Sequence, residues 1–295
     1  DDLGKDCKSF KVTVNNVAPV VAAGLDQITN EGTFIHLAPA TVTDTGFDHL
    51  AGNTKEDFSA TINWGDGTIE PLSDIILTET AGKEGVLTQG TIRAQHAYGD
   101  NGVYTIIIKV ADDDGGIGES RLKVTVNNVA PTLASLPDQT TNEGSFIELS
   151  STSFSDPGFD NLPGATKEDF SATIDWGDGT TEPLQDITLT ENPGKEGVLT
   201  TGIIRAKHAY GDNGIYTVTL SIQDDDGGKD TKTFKVTLNN ESPVLASLPE
   251  QMANEGSFIQ LPPGSFTDPG FDNPAGGTSE NFSATIDWGD GTTEP

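Results

Sequence analysis

The residues with the greatest capacity for chemistry in this sequence are acidic, and they fall in clusters. Across residues 127–228 stand Glu143 in an Asn-Glu-Gly triplet, Asp156 and Asp160 in SFSDPGFDN, and the run Asp224-Asp225-Asp226-Gly227-Gly228; Asn127-Asn128 precede a proline-ended connection. Loops rich in Asp, Asn and Gly suit a hard cation, because Ca²⁺ takes about six to eight oxygens drawn from carboxylates, Asn carbonyls and backbone carbonyls. Carboxylates packed this densely repel one another unless a cation lies among them. The same residue types also make turns by hydrogen-bonding their own backbone, so the pattern alone allows both readings.

The remaining chemistry is sparse. Lys and Arg number 16 against 46 Asp and Glu, a formal charge of −30, which repels nucleic acid and anionic lipid and excludes a role on either. Acid/base catalysis needs paired groups in opposed environments, whereas here the carboxylates recur identically at loop positions, and no Ser/His/Asp or Cys/His set is present. The expectation is that this stretch is not an enzyme. The single cysteine, Cys7, has no partner for a disulfide within the sequence.

What positions the acids is a tandem repeat. FSATINWGDGTIEP at residues 58–71 returns as FSATIDWGDGTTEP at 170–183 and 282–295, so that Trp64, Trp176 and Trp288 keep a constant step of 112 residues. Pro19, Pro131 and Pro243, the three Asn-Glu-Gly triplets, and His96 and His208 keep it too. A solenoid repeat runs about 20–50 residues, and a step near 112 is instead the size of a domain with its own core. The sequence divides into the end of one repeat (1–17), two whole repeats (18–129 and 130–241) and the first half of another (242–295), and reads as a window on a longer array with repeats on both sides.

Within the first whole repeat, alternating or β-branched runs at 20–23, 34–37, 58–64, 74–80, 86–94, 103–110 and 120–126 are separated by Gly, Asp, Asn and Pro clusters, and each predicts a strand. No capped helical periodicity interrupts them, so the fold class is all-β. Seven short strands with one central Trp predict a seven-stranded immunoglobulin-like sandwich per repeat, the sandwiches following one another in an elongated array. Trp64 reads as a core plug ahead of the Gly65-Asp66-Gly67 turn, where Asp66, Asp178 and Asp290 read as turn formers. His96 and His208, each just before Ala-Tyr-Gly-Asp-Asn-Gly, read as local hydrogen-bonding groups. No apolar stretch approaches the roughly 18 residues of a membrane span, so no membrane insertion is expected in this window.

Taken together, Trp-Gly-Asp-Gly at the end of a strand, His-x-Tyr, GIYTVTLSIQDDDGG at 214–228 and the Asp-rich turn before the last strand resemble the PKD (polycystic kidney disease) domain, and the resemblance spans essentially the whole sequence. It implies an immunoglobulin-like sandwich, used in tandem on extracellular and cell-surface proteins, and in some members a Ca²⁺ site at the domain entrance. Carried over by motif, the ligands are Asp44, Asp48 and Asp112 in the first repeat, Asp156, Asp160 and Asp224 in the second, and Asp268 and Asp272 in the third. Asp114 and Asp226 of the triple-Asp turns extend the set, Asn16, Asn128 and Asn240 supply carbonyls from the connections, and Glu31, Glu143 and Glu255 close the shell. The sequence departs from the family in spacing the loop pair as Asp-x-x-x-Asp rather than Asp-x-Asp, and in inserting LSDIILTETAGKEGVLTQGTIRAQ at 72–95, which predicts an extended, exposed hairpin.

The function expected is structural: an extracellular stalk, adhesin shaft or filament of a bacterial cell surface, with Ca²⁺ stiffening the joints. Its partners are neighbouring repeats and lateral copies of itself. The alternatives are an array whose hairpin at 72–95 captures glycan, matrix or a neighbouring copy, and a set of spacer domains in a secreted hydrolase. Asn240-Glu-Ser and Asn281-Phe-Ser match the glycosylation pattern, and in a bacterial protein would usually stay bare.

Overall fold

The structure is a computed structural model, and it describes residues 6–70, 74–182 and 187–295. Residues 1–5 of the opening piece, 71–73 at the start of the inserted hairpin and 183–186 lie outside the described residues. The chain forms two compact units: residues 1–129 with Pro157–Lys167 and Gly194–Leu199, and residues 130–156, 168–193 and 200–295. Two segments numbered within the second repeat thus belong to the first unit.

In the first unit, strands β1 (Val20–Ala22), β4 (Ala40–Asp44), β7 (Ile76–Thr80) and β8 (Thr88–Arg93) form a four-stranded sheet in the order β1-β4-β8-β7. A five-stranded sheet runs β2-β11-β10-β5-β6, from β2 (Gln27–Asn30), β5 (Phe58–Asn63), β6 (Ile69–Glu70), β10 (Gly102–Asp112) and β11 (Ile117–Asn127). A ribbon of β3 (Phe34–His36) and β9 (Gln95–Ala97) sits beside them. All seven runs expected to be strands are strands. Four more were not apparent from sequence, because β2, β6 and β9 are short and mostly polar, and β4 alternates Ala40, Val42 and Asp44 inward, a pattern too weakly apolar to register.

Alternation at period two decides which side chains become core. Phe58, Ala60 and Ile62 of β5 line one face of the sheet with Ile106, Ile108 and Val110 of β10 and Leu122, Val124 and Val126 of β11, and Val42 and Ile92 of the other sheet pack in the same core. Trp64 is fully buried, and its carbonyl oxygen accepts the Tyr98 hydroxyl at 2.9 Å. This bond ties the end of β5 to the segment after β9, and it satisfies a phenol that would be costly to bury unpaired. Gly65 (φ +87) turns the chain away immediately after the Trp, where an added Cβ would lie 2.6 Å from the Thr105 carbonyl oxygen.

The second unit repeats the plan. Strands β12 (Thr132–Leu133), β14 (Phe146–Asp156), β17 (Thr188–Asn192) and β18 (Thr200–Ala209) form one sheet; β13 (Gln139–Asn142), β15 (Phe170–Asp175), β16 (Thr181–Glu182), β19 (Gly214–Asp224) and β20 (Lys229–Asn239) form the other. Here β14 runs through the region that is split into β3 and β4 in the first unit, with a register shift between Leu149 and Thr152. Trp176 is fully buried, and the Tyr210 hydroxyl donates to its carbonyl oxygen at 2.8 Å. Residues 242–295 add two short pairs, β21 (Val244–Leu245) with β22 (Phe266–Thr267) and β23 (Ile286–Asp287) with β24 (Thr293–Glu294). The architecture is all-β, in tandem immunoglobulin-like sandwiches. Among the described residues no helix is long and apolar enough to cross a membrane.

Candidate metal centre

Both sheets of the first unit deliver an acid to one end of the sandwich. Strand β4 finishes on Asp44, β10 finishes on Asp112, and Glu56 stands two residues before Phe58, the residue that pairs with Asp112 across β5 and β10. The three carboxylates are 4%, 8% and 6% exposed, and one oxygen from each lies within 4.8 Å of the others. Asp44 Oδ1 accepts the Gly46 N–H at 2.6 Å, and Asp112 Oδ1 accepts the Gly116 N–H at 2.6 Å. Asp44 Oδ2 and Glu56 Oε1 are buried with no hydrogen-bond partner. Buried acceptors left in this state are costly, and each points to a ligand that the protein chain does not supply.

Electrostatics agrees with geometry. Burial, and then the charges of Asp44, Asp113, Asp112 and Asp114, push the Glu56 carboxyl from its ordinary 4.5 up to about 7. Three carboxylates with no nitrogen or sulfur among them form a hard donor set, and oxygens held at about 2.4 Å by one Ca²⁺ lie no more than about 4.8 Å apart. The residues present therefore fit a hard divalent cation. Asp44, Glu56 and Asp112 would hold it.

The sequence-predicted residues divide around this triad. Asp44 and Asp112 belong to it. Asp48 instead accepts the Glu56 N–H at 3.0 Å and positions that residue. Asn16 meets Asp112 through its amide nitrogen, at 3.1 Å from Oδ1 and 2.9 Å from Oδ2. Asp114 is exposed in the turn between β10 and β11. Glu31 is buried and accepts the Val129 N–H at 2.7 Å, and Asn128 is half-buried beside it in sequence. Glu56 was not among the predicted ligands. The signal available was its recurrence at the 112-residue step as Glu168 and Glu280, two residues ahead of each Phe-Ser-Ala-Thr-Ile.

In the second unit Asp156 ends β14, Asp224 ends β19 opposite Phe170, and Glu168 precedes β15; all three are buried. Asp226 and Asn240 are exposed, the latter donating through Nδ2 to the Glu241 carbonyl oxygen at 3.0 Å. Glu143 is buried and accepts the Glu241 N–H at 2.8 Å. Asp268 accepts the Gly270 N–H and Asp272 the Glu280 N–H, both at 2.8 Å, while Glu255 is exposed. Asp160, within the segment that joins the first unit, is half-buried.

A second polar cluster locks the turn at the opposite end of β5. His96 Nε2 lies 2.7 Å from Asp66 Oδ2, and its ring stacks on Trp64 at 4.9 Å. Burial pushes the Asp66 carboxyl up, but hydrogen bonds from His96 and Thr68 prevail and hold it below the ordinary 3.8. The inserted hairpin of the second repeat also reaches this cluster. Glu196 accepts the Ala97 N–H at 2.7 Å, and its carboxylate lies 3.6 Å from His96 Nδ1.

No family model matches the chain, and no curated protein matches it. Among solved structures it is similar to the Yersinia pseudotuberculosis adhesin InvE, at 16% identity over 75% of this chain and 58% of that one, with a TM-score of 0.34. It is similar to the IG1+IG2 domains of DIP-gamma at 12% identity over 76% of this chain and 99% of that one, with a TM-score of 0.30. It is similar as well to extracellular cadherin domains 1–4 of protocadherin gamma B7, at 12% identity over 85% of this chain and 59% of that one, with a TM-score of 0.26. Pairings this loose carry no argument about function.

Proposed function

We propose that this chain is a structural stretch of tandem PKD-type repeats outside the cell or on its surface, part of a stalk, adhesin shaft or filament that Ca²⁺ stiffens, and that it performs no catalysis. The observation that supports this reading best is the triad of Asp44, Glu56 and Asp112, with two buried carboxylate oxygens that no protein group satisfies. A cation there would bridge the ends of β4 and β10 to the connection before β5, so that the two sheets are fastened at one edge. The Asn16 contact with Asp112 brings the preceding connection to the same place.

The test is thermal unfolding of the 295-residue chain in about millimolar Ca²⁺ and in excess chelator. A ligand that binds only the native state at about a hundred times its Kd adds roughly 2.7 kcal/mol, and a rise in the midpoint that Asp44→Asn with Glu56→Gln diminishes is expected. An unchanged midpoint would sink the calcium reading. The alternative of a ligand-capturing hairpin is disfavoured for the second repeat by the engagement of its tip residue Glu196 with Ala97.

A further inference from the structure

We infer a second divalent-cation site in the second unit, formed by Glu143, Asp212 and Glu280, distinct from the triad of Asp44, Glu56 and Asp112 and independent of whether that triad binds anything. One carboxylate oxygen from each of the three lies within 4.8 Å of the others. What makes this more than an acidic cluster is Glu143. Its side chain is 2% exposed, Oε1 accepts the Glu241 N–H at 2.8 Å, and Oε2 is buried with no hydrogen-bond partner.

The three residues come from separate segments that the backbone holds firmly together. Glu143 follows β13, where its own N–H donates to the Asn239 carbonyl oxygen at 3.1 Å. Asp212 lies in the turn between β18 and β19, whose Gly211 carbonyl oxygen accepts the Phe271 N–H at 2.9 Å. Gly144, at φ +70, admits the Pro269 carbonyl oxygen to within 2.2 Å of where a Cβ would stand, so the backbones meet next to Glu143. The loop that carries Glu280 is pinned again by Asn273, which donates through Nδ2 to Asp178 Oδ2 at 2.9 Å. Glu280 is therefore delivered to Glu143 and Asp212 by contacts that do not involve its charge.

Such an arrangement gathers three carboxylates, and the fold brings them together rather than apart. Oxygens on one Ca²⁺ at about 2.4 Å separate by at most about 4.8 Å, so a single hard cation spans the set. The consequence is a cation that fastens residues 268–280 to the sandwich of β12–β20, tying the start of one repeat to the body of the one before it.

Calcium titration of the metal-stripped 295-residue chain by isothermal calorimetry tests the site. Asp212→Asn and Glu280→Gln change half-exposed side chains and leave the fold intact, and Glu143→Gln keeps the acceptor for Glu241. Since ligand charge sets Ca²⁺ affinity across decades, the double variant Asp212→Asn, Glu280→Gln is expected to lose one bound ion, or to bind it at least about tenfold more weakly, with unchanged circular dichroism. The same number of ions at unchanged affinity in that variant would overturn the proposal, whatever Glu143→Gln does. Asp44→Asn with Glu56→Gln separates the two sites. If it removes no ion while the Asp212, Glu280 variant removes one, the first triad fails and this site stands.

Discussion

Asn161 donates through Nδ2 to the Asp66 carboxylate at 2.9 Å and to the Asp66 carbonyl oxygen at 3.1 Å. The same Asp66 oxygen lies 2.7 Å from His96 Nε2, so one buried carboxylate serves the turn after Trp64, the histidine before Tyr98 and a loop numbered 95 residues further along. Asn273 repeats the relation with Asp178 in the second unit, at 2.9 Å. Asn161→Ala leaves the Asp66 carboxylate and carbonyl short of a donor in a buried place, which costs about 1–3 kcal/mol. Denaturant unfolding should show a midpoint lowered by that amount with its slope unchanged. A loss below about 0.5 kcal/mol would mean that water replaces Asn161 freely.

Glu196 makes a separate prediction, because it reaches the edge strand β9 by accepting the Ala97 N–H at 2.7 Å. Its hairpin turn is closed by the paired N–H and C=O groups of Lys195 and Val198. Glu196→Ala should accelerate hydrogen exchange at the Ala97 amide by about tenfold, the equivalent of one lost hydrogen bond to a charged acceptor, while Glu196→Gln, which keeps an acceptor oxygen, should change it little. Unchanged exchange in the alanine variant would show that the hairpin tip is free in solution.

The fold was legible in the sequence because its strongest signals are local and repeated. Trp64, Trp176 and the alternation of Phe58, Ala60 and Ile62 define buried strands without reference to anything distant. Asp44 and Asp112 were reached only through the family resemblance, carried over by motif, since the short strand that ends on Asp44 was not apparent from its pattern. Glu56 was not, since Lys55-Glu56-Asp57 reads as solvated charge, and only the approach of β4 and β10 buries the middle one. The partnership of Asp66 with Asn161 depends on a loop from the next repeat joining the first unit, a placement no spacing within one repeat announces. The hairpin expected to stand exposed over residues 72–95 is instead built into a sheet, β8 running between β4 and β7 with Thr88 and Ile92 fully buried, while the corresponding tip one repeat later is engaged where Glu196 finds a backbone N–H on β9; residues 72 and 73 themselves are not described.

Charge neutralisation in the first triad should separate the metal-free protein from the loaded one. Glu56→Gln removes the group that burial and four neighbouring aspartates keep protonated up to about pH 7, so in chelator at pH 8 the variant is expected to melt higher than the parent. In millimolar Ca²⁺ the order should invert, since the variant gives up a charged ligand. A variant less stable under both conditions would assign Glu56 a structural role and no cation.

The pH dependence follows from the same group, and its sign is definite. The Glu56 carboxyl titrates at about 7 in the folded chain against an ordinary 4.5, so without metal its protonation stabilises the native state below about pH 4.5, and that contribution is lost progressively as pH rises through 7, on the order of 3 kcal/mol in total. A cation must displace the proton to bind, and metal binding to such a site releases protons. Calcium affinity at Asp44, Glu56 and Asp112 should consequently rise between pH 5.5 and 7.5, and calorimetry in buffers of different ionisation enthalpy at pH 6 should register close to one proton released per ion at that site, a release that Glu56→Gln abolishes. An affinity flat across this range would place the cation elsewhere than against Glu56.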